Sequence, residues 1–252
     1  MRIRVGHLFP EYLNIYADRG NIAVLARRAA LRGHRLDVEP VGIGDGVAPG
    51  AYDLLYIGGG QDREQALVAA DLASDKGAAI RAAVEGGAVL LAVCGGYQLL
   101  GRAYRGRDGS FMPGVGLFPH ETVAGDTRMI GDVLLECELE PGTRRRLAGF
   151  ENHAGRTLLD SGATPLGRVV HGYGNDGTSG FEGCVVERAL GTYLHGPLLP
   201  RNPWLADWLL AHALAHALDG DPPTLAALPD TLESEAFRVS AARARSRGGR
   251  RG

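Results

Sequence analysis

The chain has 252 residues, 45% of them apolar and 22% charged, with a formal net charge of −2. Such a chain can bury a sizeable core as one large α/β domain or two small ones, and its balance of charge excludes a general attraction to nucleic acid or to a membrane surface. Glycine is abundant at 38 residues, about twice the usual share, and Lys76 is the sole lysine among 27 basic residues.

In the first hundred residues strand and helix signals alternate. Ile3–Leu8 reads as a strand. Asn21–Leu31 reads as a helix, with Asp18 or Asn21 as its N-cap and Gly33 just past its end. Arg35–Val41 and Leu54–Ile57 read as strands bounded by turn residues. Gln65–Ala73 and Ala78–Glu85 read as helices, the second closed by Gly86-Gly87, and Val89–Val93 reads as a strand. This alternation predicts right-handed βαβ crossovers and a mostly parallel sheet flanked by helices. Ligands of such sheets sit beyond the carboxyl ends of the strands, where Gly58-Gly59-Gly60 and Cys94 fall.

From about Gly114 to Leu194 the pattern changes to short strand-like pieces between glycine-rich turns: Thr127–Leu139, Arg156–Leu159, Gly167–Val170, Cys184–Arg188 and Gly191–Leu194. An antiparallel or mixed extension of the same sheet is expected. Pro203–Leu218 reads as a closing helix, on which His212 and His216 stand four apart without a third ligand for a metal. Residues 1–220 are expected to form the main domain and 221–252 an extension. From Arg238 the chain carries six arginines among small residues, which predicts a disordered basic tail.

Cys94, Cys137 and Cys184 are odd in number and widely spaced, which argues against a disulfide framework or a zinc site. The start of the chain lacks an apolar stretch long enough for a signal peptide, and the apolar run Ala88–Val93 is far too short to span a bilayer. A cytoplasmic protein, not embedded in a membrane, is the expectation.

The most telling run is Ala88-Val89-Leu90-Leu91-Ala92-Val93-Cys94-Gly95-Gly96-Tyr97-Gln98-Leu99-Leu100. An apolar strand meets a cysteine, then two glycines, then a helical pattern, which is the outline of a nucleophile elbow. The turn needs residues without a Cβ, and N–H groups at the start of a helix favour thiolate over thiol. A thiol nucleophile also needs a base. Tyr193-Leu194-His195-Gly196-Pro197 places a histidine after a strand, in a glycine–proline turn.

Tyr56-Ile57-Gly58-Gly59-Gly60, the Cys94 elbow with Tyr97-Gln98, and the turn around His195 together resemble the class I glutamine amidotransferases, in the branch of the cobyric acid and cobyrinate amide synthases. Gly149-Phe150-Glu151-Asn152-His153-Ala154-Gly155-Arg156-Thr157 and Asp126-Thr127-Arg128-Met129-Ile130-Gly131 resemble one subfamily, the stand-alone glutaminase subunits (GatD) of lipid II isoglutaminyl synthases. The likeness runs from about residue 3 to 218. It implies a flavodoxin-like α/β fold, with Cys94 as nucleophile and His195 as base and acid. It also implies Arg128 on the substrate carboxylate, Gln98 on the substrate, and backbone N–H groups of Gly59 or Gly60 and Gly95 around the oxyanion.

The same resemblance implies L-glutamine as substrate and a heterodimer with a Mur-ligase-like subunit, MurT. That partner would carry ATP and magnesium and amidate D-glutamate of lipid II; no cofactor is expected on this chain. A phosphate-binding G-x-x-x-x-G-K-[ST] motif is absent from the sequence. Two departures stand out: Pro197 occupies the position where many class I members carry a histidine-orienting Glu, and Ala92 begins the elbow where many have Gly. A bare dyad or a carboxylate lent by the partner are the two ways to orient His195. The competing readings are the glutaminase part of a corrinoid amide synthase, a cysteine hydrolase of another kind, and a non-catalytic α/β binding protein.

Overall fold

A computed structural model describes residues 1–15 and 19–248; the proposed cap Asp18 lies outside them. The first half is built from β1 (Arg2–Leu8), α1 (Arg19–Ala30), β2 (Arg35–Val41), β3 (Leu54–Ile57), α2 (Asp62–Asp71), α3 (Gly77–Glu85), β4 (Val89–Val93) and the short α4 (Gly95–Leu99). The second half adds β5 (Ala103–Arg105), β6 (Phe111–Pro113), β7 (His120–Glu140), β8 (Thr143–Leu159), β9 (Gly167–His171), β10 (Phe181–Glu182), β11 (Cys184–Val186), β12 (Ala189–Thr192), α5 (Pro203–Leu218) and α6 (Thr231–Gly248).

The first sheet has the order β11-β12-β4-β3-β1-β2. Its strands run parallel except β11, which is antiparallel to β12. The chain steps from β1 outward to β2, then back across β1 to β3 and on to β4. Right-handed crossovers therefore put α1 on one face and α2–α3 on the other, and the strand order reverses between β1 and β3. β3 and β4 are buried on both faces, as near-continuous apolar strands of a covered parallel sheet must be.

The second half departs from the expected single extended sheet. Only β11 and β12 extend the first sheet; β5 to β10 form a second one, ordered β10-β9-β7-β5-β6 with β8 paired to β7. The pieces expected at Thr127–Leu139 and Arg156–Leu159 belong to one long hairpin of β7 and β8, interrupted by a bulge between Ala124 and Met129. An isolated bridge between Phe150 and His195 sews this hairpin to the first sheet.

Three local expectations are corrected. Asn21 is not a cap but a buried residue within α1, donating to the Tyr56 hydroxyl at 3.1 Å and accepting from Leu199 N–H at 2.9 Å. The strand expected at Gly191–Leu194 ends at Thr192, because Tyr193 N–H turns away to the Glu182 carboxyl. Residues 238–248, expected to be disordered, lie in α6, which packs Ala241 and Ala244 on Leu134 and Ala148 of the hairpin.

α6 is also tied at its start. The Arg28 guanidinium, buried in α1, donates to the carboxylates of Asp207 of α5 (2.7 Å, twice) and of Asp230 just before α6 (2.5 and 3.1 Å). Both carboxylates hold the guanidinium charged, raising its pKa against the opposing effect of burial. Removing one partner of a buried pair strands the other charges. Arg28→Ala is expected to lower unfolding free energy by about 3 kcal/mol, the low end for buried pairs, because Asp207 keeps Arg32 as a partner. A fall in the urea midpoint at unchanged m-value is the measurement.

Glu182 of β10 has no exposed surface, and burial pushes its carboxyl up to about 8 from 4.5 against the donors that contact it. The folded chain thus keeps a proton that the unfolded chain loses near pH 4.5. The resulting stability is fully present below about pH 4.5 and declines as pH rises toward 8. Thermal melts between pH 5 and 8.5 should show a falling midpoint for the native chain and a flatter curve for Glu182→Gln.

Candidate active site

Cys94 follows β4 with φ 49° and ψ −106°, a conformation that a side chain adopts only at a cost of about 1–3 kcal/mol. The neighbouring glycines make the turn possible. A Cβ on Gly95 would lie 2.9 Å from Gly60 N, and one on Gly96 2.9 Å from Gly58 O. The elbow and the glycine turn after β3 are thus packed main chain to main chain, and Gly96 N–H donates to Gly58 O at 3.1 Å. α4 has only five residues, so the local N–H groups rather than a long helix dipole supply the positive field at the thiol.

Cys94 faces a cavity of about 430 Å³ at the carboxyl edge of the first sheet, where Gly60, Gln98, Tyr104, Arg128 and Asn152 also line the wall. This edge includes the point where strand order reverses, the usual ligand position of such sheets. Cys137 and Cys184 are different. Both are buried thiols pushed up to about 12 by burial, and neither lines this cavity.

The far wall is built by the two stretches singled out in the sequence. In the hairpin, Met129 pairs with His153, Ile130 with Asn152 and Gly131 with Glu151. The bulge before Met129 lets Arg128 reach back across the strand. Its Nε donates to Asn152 Oδ1 at 2.9 Å and its Nη2 to Asn152 O at 3.1 Å. That leaves the guanidinium held at the cavity mouth with donors to spare.

Gln98, one turn past Cys94, is buried, and its Nε2 donates to the Tyr193 hydroxyl at 3.0 Å. That hydroxyl also bonds Thr157 Oγ1 at 2.7 Å, and Thr157 bonds Thr122 at 2.7 Å. The His153 ring stacks on Tyr193 at 3.5 Å, nearly parallel, and its Nδ1 bonds Gly155 O at 2.8 Å. Burial pushes the Tyr104 hydroxyl up to about 12, and the Asp62 carboxylate beside it acts in the same direction.

His195 is fully buried and does not line the cavity. Topology brings it near Cys94. β12 lies beside β4 with Thr192 opposite Val93, and Cys94 N–H donates to Thr192 O at 2.8 Å. Three residues later, His195 N–H donates to Phe150 O at 2.7 Å. Of the residues expected at the site, Cys94, Gln98, Arg128 and Gly60 share the cavity, while Gly59, Gly95 and His195 are not among the residues that line it. Reading single residues missed Tyr104, Asn152 and His153; the last two were present only within a stretch of family likeness. Among the described residues, no group of three or more His, Cys, Asp or Glu could hold a metal ion. No helix among them is long and apolar enough to cross a membrane.

Comparison with known proteins agrees with this geometry. Residues 4–203 match the CobB/CobQ-like glutamine amidotransferase domain. The chain is 39% identical over 211 residues to the lipid II isoglutaminyl synthase (glutamine-hydrolyzing) subunit GatD of Staphylococcus aureus, covering 84% of each chain. It is 37% identical over 235 residues to the subunit of the same name from Streptococcus pneumoniae, covering 93% of this chain and 88% of that one. Cobyric acid synthase of Pelotomaculum thermopropionicum is 34% identical over 164 residues, 60% of this chain but 31% of the synthase. In fold the chain is similar to PurLQS from Thermotoga maritima, with a TM-score of 0.55 and 17% identity over 87% of this chain and 99% of that one. A thiol on a strained elbow, a glycine turn packed against it and a match across most of the parallel sheet converge on one assignment: the chain belongs to the CobB/CobQ-like glutamine amidotransferase family.

Proposed function

We propose that this chain is the glutamine-hydrolysing subunit of a lipid II isoglutaminyl synthase. The observation that carries the reading is the likeness to two GatD subunits over 84% and 88% of their length. The corrinoid synthase reading is weaker, since the chain spans less than a third of that relative. The partner subunit is a Mur-ligase-like protein of the MurT kind. It binds ATP and magnesium, activates the D-glutamate carboxyl of lipid II and receives the ammonia.

On this chain the Cys94 sulfur attacks the side-chain carbonyl carbon of glutamine, with His195 taking the thiol proton. The oxyanion meets the N–H groups of Gly95 and of Gly59 or Gly60, donors fixed before the charge develops. His195 returns the proton to the amide nitrogen, the C–N bond breaks and ammonia leaves. Water, losing a proton to His195, then cleaves the thioester to glutamate and restores the thiol. Arg128, steadied by Asn152, holds the substrate carboxylate, and Gln98 contacts the substrate beside it.

Two variants test the assignment in the complex with the partner subunit. Cys94→Ala should abolish glutamine hydrolysis while leaving the melting profile near that of the native chain, since one sulfur is removed at a strained turn. Activity of the alanine variant above a trace would remove Cys94 from the role. Arg128→Ala removes a charge-assisted contact worth about 1.5–3 kcal/mol, so kcat/KM for glutamine should fall roughly ten- to a hundredfold. Steady-state kinetics that match the native complex would take Arg128 out of the site.

A further inference from the structure

We infer that Glu182 is a positioning residue that holds Cys94 and His195 in mutual register through the main chain of Thr192–Leu194. The inference rests on the proposed roles of Cys94 and His195 as nucleophile and base. Glu182 belongs to β10 of the second sheet, yet its carboxyl reaches the end of β12 in the first.

Three contacts define the clamp. Tyr193 N–H donates to Glu182 Oε1 at 2.6 Å. The Thr192 hydroxyl donates to the same carboxyl, at 3.2 Å from Oε1 and 3.1 Å from Oε2. The Thr192 oxygen in turn accepts Leu194 N–H at 3.1 Å. The peptide whose side chain is anchored in this way is also the one whose carbonyl accepts the Cys94 N–H at 2.8 Å. One buried carboxyl therefore fixes the strand end that is bonded to the nucleophile on one side and leads into His195 on the other.

The chemistry of the position calls for a carboxyl. The parallel ladder ends at Thr192, and beyond it two buried N–H groups, of Tyr193 and Leu194, lose their strand partners. In the protonated carboxyl that burial favours, the carbonyl oxygen accepts both the Tyr193 amide and the Thr192 hydroxyl, and that hydroxyl relays to the Leu194 amide. Downstream the loop is closed by Phe150, which exchanges main-chain bonds with His195 at 2.7 and 3.3 Å. Arg201 completes the closure, its Nη2 donating to Gly196 O at 2.5 Å and its Nη1 to Ser240 of α6 at 3.3 Å. His195 is thus aimed by its own backbone, which fits a turn where Pro197 occupies the place of an orienting acid.

A merely structural Glu182 would change how much protein folds, whereas a positioning Glu182 changes the turnover of the folded fraction. The test uses the full chain with its partner subunit, with kcat and KM for glutamine normalised to the folded fraction by near-UV circular dichroism. Thr192→Val keeps volume and strand propensity but deletes the relay; kcat should fall about tenfold with KM within about twofold, since small misplacements at a reacting centre are costly. Glu182→Ala should lose about a hundredfold in kcat, and Glu182→Gln, which keeps an acceptor for Tyr193, should recover at least tenfold of that loss.

A second readout isolates the route through histidine. Thr192→Val should slow alkylation of Cys94 by iodoacetamide at pH 7 in the native background and change it no further in His195→Ala. Wild-type kcat in Thr192→Val and in folded Glu182→Ala, with His195→Ala inactive, overturns the clamp alone. An equal effect of Thr192→Val with and without His195 overturns it too. Undiminished turnover in His195→Ala would instead overturn the assignment of the base, and the clamp with it. Should Glu182→Ala fail to fold, Thr192→Val decides.

Discussion

The pairing of β4 with β12 is the constraint on which the site depends, because it joins two pieces of chain a hundred residues apart at the point where chemistry is proposed. Thr192 stands opposite Val93, and the ladder's last bond runs from Cys94 N–H to Thr192 O. A slip of one residue would turn every side chain beyond it to the other face. Four of the five residues of β4 pair with all four of β12, and every residue of both strands is buried. Gly191 illustrates this, since a Cβ there would lie 2.2 Å from the Tyr97 ring. The packing that forbids a larger residue in β12 is the same packing that seats the elbow helix.

Strain at Cys94 follows from that arrangement. The residue must leave a buried strand and enter a helix without a connecting loop, so it takes a positive φ that alanine-like residues avoid. The cost is offset where the surroundings are most rigid: apolar β3 and β4 on one side and two glycines against Gly58–Gly60 on the other. A strained residue persists when its neighbours over-determine it. Here they do so with main-chain contacts that few substitutions can reproduce.

The parallel half of the fold is legible in the sequence because its signals are local and of one kind. β3 and β4 coincide with apolar runs between turn residues, β2 with a strand-prone stretch bounded by turns, and the cysteine–glycine–glycine step needs no long-range information to be read as an elbow. The antiparallel half is less legible for a physical reason. β8 opens with Arg144-Arg145-Arg146 and then buries Leu147, Ala148 and Gly149 in succession, so neither an alternating nor a continuous apolar pattern appears. α6 is hidden likewise. It docks with Ala241 and Ala244 rather than a stripe of large residues, and its arginines give it the composition of a solvated tail. Glu182 carried no signal at all, being one acid in a short stretch whose partners lie ten and eleven residues on.

The two sheets divide the labour of the site. The first, covered on both faces and apolar in its centre, supplies positional precision for Cys94, the proposed nucleophile. The second supplies polar groups on a long hairpin whose bulge and register bring Arg128 onto Asn152 and stack His153 against Tyr193. Their junction shares one apolar core, with Val133, Leu135 and Leu147 of the hairpin packed among the residues of the first sheet, and it is pinned by directional hydrogen bonds: Phe150 to His195, Glu182 to Thr192 and Tyr193, and Gln98 to the Tyr193 hydroxyl. Apolar contacts tolerate sliding, whereas short bonds from buried donors do not, because a shift of an ångström leaves a donor unpaired in a dry interior. The proposed catalytic pair, carried after two different strands, with the proposed substrate contacts on a third and fourth, needs that intolerance. Tyr193 sits at its centre, with its amide on Glu182, its hydroxyl on Gln98 and Thr157, and its ring against His153. Through one side chain and one peptide it links the segment after β12 that bears His195 to both the elbow helix and the hairpin wall of the cavity.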